Sequence, residues 1–214
     1  MYQPPHFRET DLDTQHALIR ENPLGLLISS GSDGPVANSI PFYLNAGLSP
    51  KGTLQAHVAK ANPQWRDIAG GAPVLVVFQG VNSYVTPSWY ETKQETGKVV
   101  PTWNYAIVQV RGPARVIEDA AWLRTQIEAL TRSQEGQRAA PWAVDDAPAD
   151  FIASQIKGII GIEIEIAEID GKWKVSQNRP EADRKGVVRG LEDSNGAADT
   201  AEMAELVRRY GKLD

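Results

Sequence analysis

Apolar residues along this chain cluster in short runs that glycine- and proline-bearing segments separate, which is the pattern of strands joined by turns. Leu24 to Ser29, Val36 to Leu44, Thr53 to Val58 and Val74 to Phe78 read as strands. Between them lie Gly31-Ser32-Asp33-Gly34, Ser49-Pro50-Lys51-Gly52 and Gly70-Gly71-Ala72-Pro73, the spacing of a meander. Ahead of the strands, Thr10-Asp11-Leu12-Asp13 has the spacing of a capping box. It opens a helix whose apolar face carries Leu12, Leu18 and Ile19 and which Asn22-Pro23 stops. A brief helix is expected over Asn62 to Ala69. The extended run Tyr105 to Ile117 is broken at Gly112-Pro113, where a proline requires an edge or a bulge.

Beyond residue 118 the pattern becomes mixed. Asp119 is placed to cap a helix carrying Trp122, Ile127 and Leu130, followed by a polar, proline-punctuated surface excursion over Ser133 to Ala149 and a helix around Asp150 to Ile156. Ile160, Ile162, Ile164 and Ile166 alternate with Gly161, Glu163 and Glu165 at period two. Asp170-Gly171 is a type I′ turn signal, so a hairpin into Trp173 to Ser176 is expected. Pro180 to Leu191 and Asp199 to Tyr210 read as helices, the second with Met203, Leu206, Val207 and Tyr210 on one face, and Asp193-Ser194-Asn195-Gly196 as the loop between them. With no internal repeat, the expectation is a mainly β, α+β fold: one barrel-like domain over residues 1–191 with peripheral helices, to which the loop and helix of residues 192–214 are appended.

Composition narrows the functions open to such a fold. The 214 residues carry a formal charge of −5 and a pI near 5.3, so the overall field repels nucleic-acid phosphates and anionic membranes. There is no cysteine, which removes disulfides, thiolate nucleophiles and cysteine zinc sites. No signal-peptide pattern and no apolar stretch approaching ~18 residues is present, so a cytoplasmic protein off the membrane is expected. Phosphate-loop, dinucleotide-turn, zincin and nucleophile-elbow motifs are missing. His6, His16 and His57 are scattered and suggest no metal site, and Asp145, Asp146 and Asp150 read as a solvated acidic loop.

Polar–aromatic clusters beside the strands stand out: Ala59 to Trp65, Tyr84 to Tyr90, Val100 to Tyr105 and Lys172 to Asn178. Six of the 16 aromatic residues are Trp, and each on its own reads as an anchor pinning a loop to the core. Together they suit a planar cofactor with a phosphate tail. Such a ligand needs aromatic walls, amide and hydroxyl partners and a cation, and Lys60 and Lys174 with Ser176, Gln177 and Asn178 supply that chemistry.

At these residues the chain resembles the PaiB-like family of FMN-binding negative transcriptional regulators. The resemblance runs from Met1-Tyr2 to about Leu191, through Met1-Tyr2-x-Pro4-x-His6-Phe7, Ala61-Asn62-Pro63-Gln64-Trp65, Phe78-Gln79-Gly80, Tyr84-x-x-Pro87-Ser88-Trp89-Tyr90, Val100-Pro101-Thr102-Trp103-Asn104-Tyr105 and Gly171 to Arg179. It implies a split β-barrel of the flavin-reductase and pyridoxamine-phosphate-oxidase type, a homodimer, and FMN at the subunit interface. By the same resemblance, His57-Val58-Ala59-Lys60 would hold the phosphate with Lys60 as its cation, and Asn38, Ser39 and Ile40 would run along the isoalloxazine ring and ribityl chain. Asn62, Trp65, Thr102, Trp103, Lys174, Ser176, Gln177 and Asn178 complete the cofactor-binding set it implies. The family carries a histidine near the position of Ser39, and this chain does not. Three roles follow: an FMN-binding regulator, a flavin oxidoreductase with a nicotinamide donor, or a cofactor-free structural dimer. The interleaving of Arg179, Arg184, Lys185 and Arg189 with Glu181, Asp183 and Glu192 argues against direct DNA binding.

Overall fold

A computed structural model describes residues 1–31, 34–194 and 198–213. Ser32 and Asp33 of the expected first turn, and Asn195 and Gly196 of the expected last loop, lie outside the described residues. The strands are β1 (Arg8–Glu9), β2 (Leu24–Gly31), β3 (Gly34–Pro41), β4 (Tyr43–Asn45), β5 (Thr53–Ala59), β6 (Val74–Val85), β7 (Thr102–Gly112), β8 (Ala114–Ile117), β9 (Ile159–Glu165) and β10 (Glu168–Lys174). They form two sheets, one in the order β1-β10-β7-β6-β2-β3 and one in the order β4-β5-β9-β8. This is the expected α+β class of the split-barrel type, and the described strands make no closed barrel. The chain divides into two compact units, one of residues 12–78 and 109–169, the other of residues 1–11, 79–108 and 170–214.

The first unit contains the meander. β2 pairs antiparallel with β3, from Leu24 opposite Pro41 to Gly31 opposite Gly34, and with β6 from Leu26 opposite Val77 to Ser29 opposite Val74. The expected strand Val36 to Leu44 is two strands in different sheets, because the buried Phe42 breaks it and packs edge-on against Phe78 at 5.7 Å. Gly112-Pro113 marks a second change of sheet, from β7 to β8. Its helices are α1 (Leu12–Glu21), α2 (Gln64–Ala69), α4 (Ala120–Glu135) and α5 (Ala149–Lys157). Asp119 caps α4, its carboxylate accepting the Trp122 N–H at 2.7 Å as its sequence position required. The excursion expected from Ser133 is shorter, since α4 runs to Glu135 and Val144 is buried in a cluster with Leu123, Ile152 and Ile156.

In the second unit, β1 pairs with β10, Arg8 opposite Lys172 and Glu9 opposite Gly171. The hairpin expected at Asp170-Gly171 does not form. Those residues lie inside β10, while β9 belongs to the other sheet. The Met1 ammonium donates to the Asp170 carboxylate at 2.9 Å and the Gln3 amide to the Gly171 carbonyl at 2.8 Å, so distant partners hold extended a dipeptide that would turn if left alone. α3 (Thr92–Thr96), α6 (Glu181–Asp193) and α7 (Ala198–Gly211) belong here. α6 lies so close to the turn Pro87–Trp89 that a Cβ on Gly186 would stand 1.9 Å from the Trp89 carbonyl oxygen, and one on Gly190 2.3 Å from its indole.

On the four-stranded sheet, Gln55 and Arg115 both stand opposite Glu163. The Gln55 amide donates to one carboxylate oxygen at 2.7 Å and the Arg115 guanidinium to the other at 2.9 and 2.5 Å. Burial alone would push the Glu163 carboxyl up, but the bonds from Gln55 and Arg115, the Arg115 charge and the Trp122 indole outweigh it and hold it below the ordinary carboxylate range. A carboxylate lowered on folding adds stability above its unfolded-state pKa and loses it as pH falls through the lowered value. The acid limb of melting temperature against pH should therefore be shallower in Glu163→Gln than in the parent, a difference that scanning calorimetry from about pH 7 to about pH 3 reads directly.

Candidate functional site

The sequence-derived candidates fall into two groups, one in each unit. In the unit of residues 12–78 and 109–169, Asn38, Ser39 and Ile40 lie on β3, with Ser39 exposed and Ile40 buried. The Asn38 amide donates to Gln64 Oε1 at 2.9 Å. Gln64 is fully buried, and its own amide nitrogen reaches the Leu27 carbonyl, the Ser29 hydroxyl and the Val36 carbonyl at 3.1 to 3.4 Å, while its backbone N–H donates to Asn62 Oδ1 at 3.0 Å. This one side chain ties α2 to β2 and β3.

At the end of β5 the backbone of Lys60 is fixed on both sides. Its N–H donates to the Gly158 carbonyl at 2.9 Å, and its carbonyl accepts the Trp65 indole N–H at 3.0 Å. Asn62 N–H closes the turn onto the Ala59 carbonyl at 2.9 Å. Ala59, Lys60 and Ala61 are exposed, and the Lys60 ammonium makes no hydrogen bond or ion pair among the described residues. Val58 is buried, and His57 is half-buried with Nδ1 2.8 Å from Gln126 Oε1.

In the other unit the Lys174 ammonium donates to the Thr102 hydroxyl at 2.6 Å and the Trp103 carbonyl at 2.5 Å. Lys172, two residues earlier on the same face of β10, is buried, with its ammonium 5.3 Å from the Tyr105 ring centroid and 5.6 Å from that of Tyr2. Burial first, then the Lys172 and Arg179 charges, lower the Lys174 pKa. Trp103 is exposed and packs edge-on against the exposed Tyr84 at 5.8 Å. Ser176 is buried, left-handed at φ 66°, and bonded to the Asn104 amide at 3.0 Å, while Gln177 accepts the Val175 N–H at 2.8 Å and donates to the Trp173 carbonyl at 2.6 Å. Asn178 is exposed.

Each group, taken in its own unit, carries chemistry that suits a phosphorylated planar cofactor. Lysine ammoniums and a hydroxyl match a phosphate, and an exposed indole–phenol pair matches a ring. Residues 1–168 match the family described as "Putative FMN-binding domain". The chain belongs to that family. FMN is accordingly its cofactor. The chain is also similar, at 37% identity over all of its own length and 98% of the other, to an uncharacterised protein of Emericella nidulans. It is 31% identical to the protease synthase and sporulation protein PAI 2 of Bacillus subtilis, over 97% of this chain and 96% of that one. Among solved structures, an FAD- and haem-binding protein of Mycobacterium smegmatis shares the fold at a TM-score of 0.58 and 20% identity, covering 78% of this chain and 73% of that chain.

Gln64, Lys172, Tyr84 and Tyr105 lie in the clusters read from the sequence but outside the cofactor-binding set expected from it. Period two along β10 puts Lys172 on the face of Lys174, but only once Asp170-Gly171 is read as strand. Because the Ser176 hydroxyl is engaged by Asn104 in the interior, Asn104→Ala should lower stability by about 1–3 kcal/mol, as loss of a buried partner does. Chemical denaturation checks this.

Proposed function

We propose that this protein binds FMN at a homodimer interface and serves as a flavin-dependent regulator that does not itself grip DNA. The observation that carries the flavin site is the Lys60 ammonium: exposed, without an acidic partner among the described residues, on a backbone fixed by Gly158 and Trp65 and flanked by exposed alanines that leave room for a phosphate. Asn38, Ser39, Ile40, His57, Val58, Ala59, Asn62 and Trp65 accompany it. Trp103 supplies an aromatic group, Lys174 a further cation, and Thr102, Ser176, Gln177 and Asn178 hydroxyl and amide groups. Bound FMN supplies a redox-active ring, and the residues named here bind and orient it. Residues 1–191 form the flavin domain in this reading and residues 192–214 its appendage, in a cytoplasmic protein. Among the described residues no helix is long and apolar enough to cross a membrane.

Against direct DNA binding stand the ion pairs on α6 and α7. Lys185 meets Glu181 at 2.7 Å, Arg189 meets Glu91 at 3.1 Å, and Arg208 pairs with both Glu192 and Glu205. Cations paired in this way release few counterions from a duplex.

The protein should keep the visible absorption of oxidised flavin after FMN is added and the unbound FMN is removed by gel filtration. Lys60→Ala should weaken FMN by about 1.5–3 kcal/mol, or roughly ten- to a hundredfold, without altering the melting temperature of the FMN-free protein. Unchanged affinity would move the phosphate to Lys174. Bleaching of the bound flavin by NADH in the absence of air would instead assign an oxidoreductase. The dimer should bind arbitrary duplex weakly at physiological salt, and tight binding that falls steeply with salt in a fluorescence titration would overturn the indirect role.

A further inference from the structure

A cleft of about 650 Å³ opens between α4 and the β4-β5-β9-β8 sheet. None of the residues proposed to hold FMN lines it. Its floor is the row in which Gln55 and Arg115 hold Glu163, a row of polar side chains where a sheet covered by a helix would ordinarily present apolar ones. Leu48, Pro113, Ala114 and the Trp122 indole supply apolar wall. This mixture of apolar wall and a few fixed polar groups, at this volume, is that of a small-molecule site.

The charges limit what enters. Glu163 and Glu165 outnumber Arg115, and Arg115 already spends its charge on Glu163. A phosphate tail is therefore disfavoured here, which separates this cleft from the flavin site. The hydrogen-bonding groups define the ligand further. Gln126 lines the cleft and is 1% exposed; its Oε1 lies 2.8 Å from His57 Nδ1, and its Nε2 has no partner among the described residues. An unpaired buried amide is costly, and native structures satisfy nearly all such groups. Exchanging the amide's oxygen and nitrogen does not remove the problem, since the unpaired atom then becomes the carbonyl. A ligand bearing both a carbonyl oxygen and an N–H satisfies Gln126 in either orientation.

We propose that this cleft binds a small, uncharged, planar ligand with a carboxamide edge, which Gln126 reads and Trp122 flanks. The proposal does not rest on the flavin reading. Nicotinamide is the probe and nicotinate the control, since the two share a ring and differ in that nicotinate is an anion without an N–H.

The test is isothermal titration calorimetry, run on FMN-free protein and again on protein saturated with FMN. Nicotinamide should bind saturably with a Kd in the millimolar range in both, as suits so small a ligand. Nicotinate should bind at least about tenfold more weakly, the size of a lost buried hydrogen-bond pairing plus repulsion. Gln126→Leu should lose nicotinamide binding at least tenfold; it removes the orphaned Nε2 and, with it, the partner of His57 Nδ1, so a folded protein with a modestly lower melting temperature is expected. Should that variant fail to fold, Thr125→Trp, placed at an exposed position of α4 on the rim, should fill the cleft and abolish binding in a folded protein. Absence of saturable heat with the parent, equal affinity for nicotinate, or unimpaired binding in both variants would each overturn the proposal. Competition between nicotinamide and FMN would place the probe in the flavin site and overturn it as well.

Discussion

The backbone contact between Gly112 and Glu165 is the constraint on which the four-stranded sheet depends. A Cβ on Gly112 would stand 1.7 Å from the Glu165 carbonyl oxygen, so any other residue would collide with main chain that has nowhere to go. Around it the Glu165 N–H reaches the Pro113 carbonyl at 3.2 Å and the Ala167 N–H the Arg111 carbonyl at 3.0 Å. Pro113 has no N–H with which to continue the ladder of β7, and the chain leaves one sheet for the other at that residue. Ile166 and Ala167 make the opposite change, between β9 and β10. Held at this crossing, β8 and β9 run in the register that sets Arg115 opposite Glu163.

What could be read from the sequence was mostly what local chemistry decides. Asp119 caps α4, Asn22-Pro23 follows the end of α1, and the apolar runs became strands close to where they were expected. Asp170-Gly171 shows where such reading stops. Its turn signal is real, but the strand is set by Arg8 and Glu9 and by the Met1 ammonium, all more than 160 residues away in the chain. Glu163 shows the same limit from another side. Alternation with isoleucines marks it as the outward face of β9, and nothing nearby in the sequence tells that α4 covers that face. Of the candidate flavin residues, Lys60 stood out because a cation at a strand end is visible in sequence, whereas the binding of Gln64 to three separate strand groups is not.

The tryptophans divide along similar lines. Trp89 sits against Gly186 and Gly190, Trp122 lies over Gly161, where a Cβ would approach its ring to 2.4 Å, and Trp173 is buried and stacked with Tyr210. These are anchors, each made possible by a glycine or an aromatic partner. Two glycines four apart on one face of α6 are a signal that sequence does carry, since helices rarely tolerate them without a close neighbour. Trp103 differs from the anchors in leaving more than half of its side chain to solvent.

The ends of the two sheets have a bearing on how the protein behaves when concentrated. A free strand edge is a template on which another chain can add, and through repeated addition, aggregate. Here β1 is two charged residues long, β4 three residues and β8 four. β3, the long edge strand, has Pro35 near its start and Pro41 at its end, so at most the five residues between them can offer both N–H and C=O groups to a newcomer. Every sheet edge among the described residues is therefore too short or too interrupted to seed a growing ladder. Copies of this chain are left to meet through their side-chain faces, and crowding should favour discrete complexes over fibres.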